Sequence, residues 1–170
     1  MSVAAILETA GLSTRAFYRH FASKDELFLA MLRRDSDAVA RRLTRLAEET
    51  PGGPAAQLRA WIDYLLGLVY HRRAHVLVLG SDEVLVAKGY REASHELRVE
   101  RERILADILR RGRDEGTFPL AEPDRDAAAI HAVVDRAFEA PLQGLRIDQD
   151  QLVGYVLDFA LRALGALSAR

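Results

Sequence analysis

The sequence predicts an all-α fold, in which a short helix-turn-helix module precedes a larger helical bundle. Three observations carry this prediction. Apolar residues recur with the 3.6-residue period of a helix through most of the 170-residue chain. Glycine and proline, which interrupt helices, concentrate in a few short places between these stripes. The best strand-like run, VLVLG at 76–80, has no second run to pair with and is interpreted as buried helix.

Residues 2–10 read as a first short helix. Ser2 is its expected N-cap, and Val3, Ile6 and Leu7 share one face. Gly11 follows where a helix ends in left-handed geometry, which glycine adopts without strain. Ser13 then caps a second helix that runs through Phe21, so the pattern predicts a helix-turn-helix.

The second helix of this motif has two different faces. Phe17 and Phe21 are four positions apart and are expected to face the core. The opposite face carries Arg15 and Arg19, whose side chains suit the guanine edges of a DNA major groove. Between residues 13 and 24 there is no acidic residue. The stretch therefore joins a core face to a cationic face suited to nucleic acid.

The next helix begins at a capping box. Ser23 is followed by Glu26 three positions later, and a helix of about 25 residues is expected from there. Lys24 stands at its start, where the helix dipole already favours an anion such as a phosphate.

Four further helical stripes make up the bundle. They start after Pro54, near Leu97, near Ala127 and at Leu152. The run RVERER at 98–103 is interpreted as a solvated helix face rather than a second nucleic-acid site.

The last helix, 152–167, is apolar nearly all round, so it must be buried on more than one side. It is either the central helix of a monomer or part of a symmetric dimer interface with the helix at 126–142, and the dimer is preferred. The predicted interface residues are His131, Val134, Phe138, Leu152, Tyr155, Val156, Phe159, Leu161 and Leu164.

Composition excludes several classes. There is no cysteine, so disulfides and thiol chemistry are absent, and a formal net charge of −1 argues against a globally basic nucleic-acid binder. No signal peptide or membrane span is expected, which favours the cytoplasm. No nucleophile–base spacing or phosphate loop stands out, so neither enzymatic activity nor a cofactor is expected. His71 and His75 can share a metal at their four-residue spacing, but no third ligand is placed, and a metal site is not predicted.

The segment VAAILETAGLSTRAFYRHFASKDELFLAML, residues 3–32, resembles the DNA-binding signature of the TetR family of bacterial transcriptional regulators. The resemblance implies that the second helix reads operator half-sites, and that the module, residues 1–34, lacks the first of the family's three helices. Leu7 stands where the family usually has alanine. The implied contacts are to bases from Thr14, Arg15, Ala16, Tyr18 and Arg19, and to phosphates from Tyr18, His20 and Lys24.

The resemblance also implies that residues 35–170 bind a small hydrophobic or amphipathic inducer and dimerise. Residues that either line an inducer pocket or form core are Trp61, Tyr64, Leu65, Leu68, His71, His75, Tyr90, Leu105 and Ile108. The sequence thus predicts a homodimeric repressor that an inducer releases from a palindromic double-stranded operator. The alternative is a helical carrier or enzyme for a hydrophobic molecule that does not bind DNA.

Overall fold

The computed structural model describes residues 13–70, 90–139 and 148–166. Within these ranges the elements are all helices: α1 (Thr14–His20), α2 (Lys24–Glu49), α3 (Gly53–Tyr70), α4 (Arg91–Asp114), α5 (Pro123–Glu139) and α6 (Gln149–Ala163). The predicted all-α class is confirmed. The expectations for residues 2–10 and for VLVLG at 76–80 lie outside the described residues.

Helix α3 lies at the centre of the bundle and contacts α2, α4, α5 and α6. Its stripe explains this position, because Leu58, Trp61, Ile62 and Leu66 are all fully buried. A helix that buries side chains on several sides needs neighbours on each of them. Four helices supply those neighbours, and one continuous apolar core results.

The turn between α4 and α5 is fixed by a close aromatic contact. Phe118 is fully buried, and its backbone N–H donates to the carbonyl of Gly112 at 2.9 Å. A Cβ atom on Gly112 would lie 2.1 Å from Cδ2 of Phe118, so only glycine fits. The N–H of Leu120 donates to the carbonyl of Leu164 at 3.1 Å, which ties this turn to the end of α6.

Arg111, near the end of α4, anchors the C-terminal end of α2. Its Nη2 donates to the carbonyl oxygen of Ala47 at 2.8 Å and to Oε1 of Gln57 at 3.0 Å. The guanidinium therefore links the last turns of α2 and α4 with the first turns of α3. Hydrogen bonds from a charged donor are among the stronger ones in proteins, so this end of α2 is firmly attached to the bundle.

Helix α2 crosses the predicted domain boundary. The division into residues 1–34 and 35–170 falls inside a helix of 26 residues. The two parts therefore share one rigid element, and the division itself stays a prediction. In the described ranges, no helix combines the length and the apolar character that a membrane crossing requires.

Candidate nucleic-acid interface and ligand domain

The junction between α1 and α2 is built by the predicted capping box. Ser23 is the N-cap of α2, and its Oγ accepts a hydrogen bond from the N–H of Glu26 at 3.1 Å. The Glu26 carboxylate in turn accepts from the N–H of Ala22. These reciprocal bonds satisfy free donors at the helix start and fix the direction in which the chain enters α2. The capping box thereby holds α1 at a defined angle to α2.

Helix α1 has one buried face and one exposed face. Phe17 is 6% exposed, and its ring centroid lies 5.8 Å from that of the half-buried Phe21. Tyr18 is 56% exposed and meets Phe17 edge-on, with the ring centroids 5.1 Å apart. Arg15 and Arg19 are exposed. The short helix is therefore anchored from behind by aromatic packing while its arginines point to solvent.

The exposed face is cationic over its whole length. His20 and Lys24 are exposed beside the two arginines, and Nε of Arg19 lies 3.4 Å from Nε2 of His20. The backbone of residues 14 and 16 belongs to α1, whereas the side chains of Thr14 and Ala16 lie outside the described part. A cationic helix face of this size can enter a major groove and contact phosphates at its edges.

The predicted ligand-lining residues fall into three groups. Trp61, Leu65, Leu105 and Ile108 are core residues with at most 4% exposure. Tyr64 and Leu68 are half-buried and pack against that core. Burial raises the pKa of Tyr64, and the positive charges of Arg42 and Arg45 oppose that rise. His71 and His75 lie outside the described residues.

Two buried polar side chains meet between α3 and α5. The rings of Trp61 and His131 pack edge to face with centroids 6.0 Å apart. The Nε1 of Trp61 and both ring nitrogens of His131 have no hydrogen-bond partner within the described ranges. The Nδ1 of His131 is 3.1 Å from Oδ2 of Asp135, an ion-pair distance without hydrogen-bond angles. Unpaired buried donors are costly, so this is a polar spot in an otherwise apolar core.

Tyr90, another predicted ligand-lining residue, contacts the DNA-binding module. Its ring lies 6.1 Å from that of Phe28 in the second turn of α2, with an interplanar angle of 33°. Desolvation raises the pKa of Tyr90, and a hydrogen bond to Asp25 and the negative charge of that residue raise it further. No sequence pattern indicates this pairing, because 62 positions separate Phe28 from Tyr90.

An open groove between α2 and α4 also escaped the sequence analysis. It is lined by Asp37, Ala40, Arg41, Thr44, Arg45 and Glu100. None of the predicted ligand-lining residues borders it. Since its lining charges include two arginines and two carboxylates, the groove has no strong preference for one sign of ligand. Within the described ranges, no three histidine, aspartate or glutamate side chains cluster as metal ligands do.

Most of the predicted dimer residues pack inside their own chain. His131, Val134, Leu152, Val156 and Leu164 are each at most 7% exposed, and Leu161 is half-buried against the core. Tyr155 and Phe159 are different, with 70% and 46% exposure. They lie one turn apart on α6 and present an aromatic surface to solvent. The side chain of Phe138 lies outside the described part of the chain.

Two family models match this sequence. Residues 1–31 match the model for bacterial regulatory proteins of the tetR family, and residues 51–138 match the tetracyclin repressor-like C-terminal domain. The second match alone spans about half of the chain. The chain therefore belongs to the TetR family of bacterial regulatory proteins.

Individual relatives agree with this assignment. The HTH-type transcriptional repressor KstR2 from two strains of Mycobacterium tuberculosis is 26% identical over 130 residues. That match covers 76% of this chain and 63% of the relative, so it spans less than two thirds of the length of the curated protein.

Two solved structures share the fold. Reduced NemR from E. coli has a TM-score of 0.81 at 20% identity, over 99% of this chain and 89% of that one. FadR from Bacillus subtilis, in complex with stearoyl-CoA, has a TM-score of 0.80 at 18% identity, over 96% and 88%.

Proposed function

We propose that this chain is a DNA-binding transcriptional repressor whose α1 helix reads an operator half-site. The observation that carries the proposal is the two-faced α1 helix, with Phe17 buried and Arg15 and Arg19 exposed. An arginine that projects from a helix into the major groove can form paired hydrogen bonds with guanine. The family membership and the repressor relatives support the same function.

Selection from a random pool of DNA duplexes tests this function. The chain is expected to enrich a near-palindrome, because a twofold pair of reading helices contacts two inverted half-sites. A pool that stays random after several rounds, together with tight uptake of a hydrophobic molecule, would favour a carrier instead.

The repressor is proposed to act as a homodimer through the exposed face of α6. Tyr155 and Phe159 stand on this face, and α5 exposes the small side chains of Ala129 and Ala132. Aromatic side chains of one protomer can pack over alanines of its twin, which removes exposed apolar area from water. The five buried residues predicted for this interface would then support it from inside the protomer.

Placing a charge on this face is expected to dissociate the dimer. Phe159→Asp should shift the sedimentation coefficient to that of a monomer, because a carboxylate buried in an interface without a partner is strongly unfavourable. Val99→Asp is the matched control, since Val99 is 44% exposed on α4 and Phe159 is 46% exposed. An unchanged sedimentation profile for Phe159→Asp, or equal dissociation by both variants, would count against this interface.

An inducer is proposed to act through α2. We place its binding site among the middle helices α3 and α4, near the half-buried Tyr64 and Leu68. A hydrophobic or amphipathic molecule suits these surroundings, and the structural neighbour FadR was solved with stearoyl-CoA. Displacement of α2 would change the separation of the two reading helices and weaken operator binding. Couplings of this kind are about 1–3 kcal/mol.

A further inference from the structure

Helix α2 is attached to the bundle near both of its ends. Arg111 holds the carbonyl of Ala47 at the C-terminal end, and Tyr90 packs on Phe28 in the second turn. Phe28 and Ala47 are 19 positions apart, so about 28 Å of helix separates the two attachments. A stiff rod held firmly at one end moves most at the other. A tilt of about 5° around the Arg111 end would shift the first turn by about 2.5 Å.

The Tyr90 side chain is committed to α2 rather than to its own helix. Tyr90 is the N-cap of α4 but makes no side-chain capping hydrogen bond. Its ring instead lies against Phe28, and its hydroxyl is hydrogen-bonded with Asp25. One contact is apolar and the other polar, and together they fix both the distance and the rotation of the first turns of α2 relative to α4.

The contacted residues lie next to the DNA-facing groups. Asp25 directly follows Lys24, and the Ser23–Glu26 capping box encloses both positions. Because the capping box holds α1 at a fixed angle to α2, a displacement of the first turn of α2 carries α1 with it. The start of α4 is thus mechanically connected to Arg15 and Arg19 through a short chain of contacts.

We propose that Tyr90 is a positioning residue, through which the start of α4 sets the orientation of the reading helix α1. The proposal rests on the proposed DNA-binding function. The contact with Asp25 and Phe28 holds α1 in the orientation that fits the operator, and Arg111 provides the fixed end about which α2 moves. Movement of the start of α4 would therefore be transmitted to α1 without any contact between the bundle and DNA.

Tyr90→Phe tests this proposal, because it removes the hydroxyl and keeps the ring and the charge. Binding to the duplex enriched from the random pool is expected to weaken about five- to tenfold, the effect of losing one hydrogen bond to a charged group. Binding to an unrelated duplex should not change, since non-specific affinity depends on charge rather than on orientation. The thermal midpoint should stay near that of the wild type.

A double-variant cycle identifies Asp25 as the partner. In an Asp25→Ala background, Tyr90→Phe should have no further effect on the ratio of specific to non-specific affinity. Asp37→Ala is the matched control, because Asp37 is an exposed carboxylate further along the same helix. In that background Tyr90→Phe should retain its full effect. Equal ratios for wild type and Tyr90→Phe would overturn the proposal, as would equal losses on both duplexes with a lowered midpoint.

Hydrogen exchange separates this inference from the DNA-binding function. Tyr90→Phe should speed the exchange of the amides of residues 28–32 about fivefold and leave the amides near Ala47 unchanged. If the wild type enriches no duplex, the DNA-binding function fails, and exchange alone then decides whether Tyr90 anchors the start of α2. Unchanged exchange in residues 28–32 would overturn that anchor as well.

Discussion

Gly112→Ala is expected to destabilise the fold by about 3 kcal/mol, the upper part of the range for overpacking a core. The added Cβ would lie 2.1 Å from Cδ2, 2.6 Å from Cε2 and 2.9 Å from Cγ of Phe118. The ring cannot simply swing away, because Phe118 is fully buried and its N–H is bonded to the carbonyl of Gly112. The turn between α4 and α5 would have to move, and it is tied to α6 through Leu120.

Gly154→Ala is the matched control for this change. Gly154 is also helical, but a Cβ at this position meets no atom within 4 Å. Alanine is about 1 kcal/mol more favourable than glycine inside a helix, so this variant should be as stable as the wild type or more stable. Urea denaturation of both variants gives the comparison. Equal stability of the two variants would mean that Phe118 does not occupy the position described.

Arg19→Ala is expected to lower affinity for the selected operator about 10- to 100-fold, the equivalent of about 1–3 kcal/mol for one base contact. Arg19 is exposed on α1, and its neighbour Phe17 anchors the helix from behind. Loss of the side chain should relax the sequence preference at one position of each half-site. Affinity for unrelated DNA should fall much less.

Lys24→Ala should behave differently from Arg19→Ala. Lys24 is exposed at the first position of α2 and is predicted to contact a phosphate. Its removal should weaken binding to all duplexes alike and reduce the slope of log affinity against log salt by about one. Arg59→Ala, an exposed arginine of α3 in the bundle, serves as the control and should change neither quantity. Fluorescence anisotropy over a salt series measures both effects, and identical behaviour of the two variants would contradict these assignments.

Local patterns predicted the helices well because each depends on neighbouring residues. Ser23 and Glu26 predict the start of α2, and the structure has the capping box there. The spacing of Phe17 relative to Arg15 and Arg19 predicts which side of α1 is buried. Such features follow from the helical period and from capping chemistry, neither of which needs a tertiary fold.

Contacts between distant helices were beyond the reach of these patterns. The periodicity that marks Trp61 and Ile108 as apolar does not distinguish a packed core from a pocket wall, and both are fully buried. Tyr90 was grouped with them although its ring lies on Phe28. Likewise, an apolar residue such as Val156 on α6 has the same sequence signature whether it faces α3 or a second protomer. Only the packing of the helices separates these cases.

The spacing of the operator half-sites tests most directly the claim that two α1 helices read DNA as a twofold pair. The measurement is the affinity for the selected palindrome, compared with the same duplex carrying about five extra base pairs between its half-sites, half a turn of DNA. The account predicts that the insertion lowers affinity to that of a single half-site, because the second reading helix then faces the wrong side of the duplex. Equal affinity for the two duplexes would contradict a paired arrangement of reading helices.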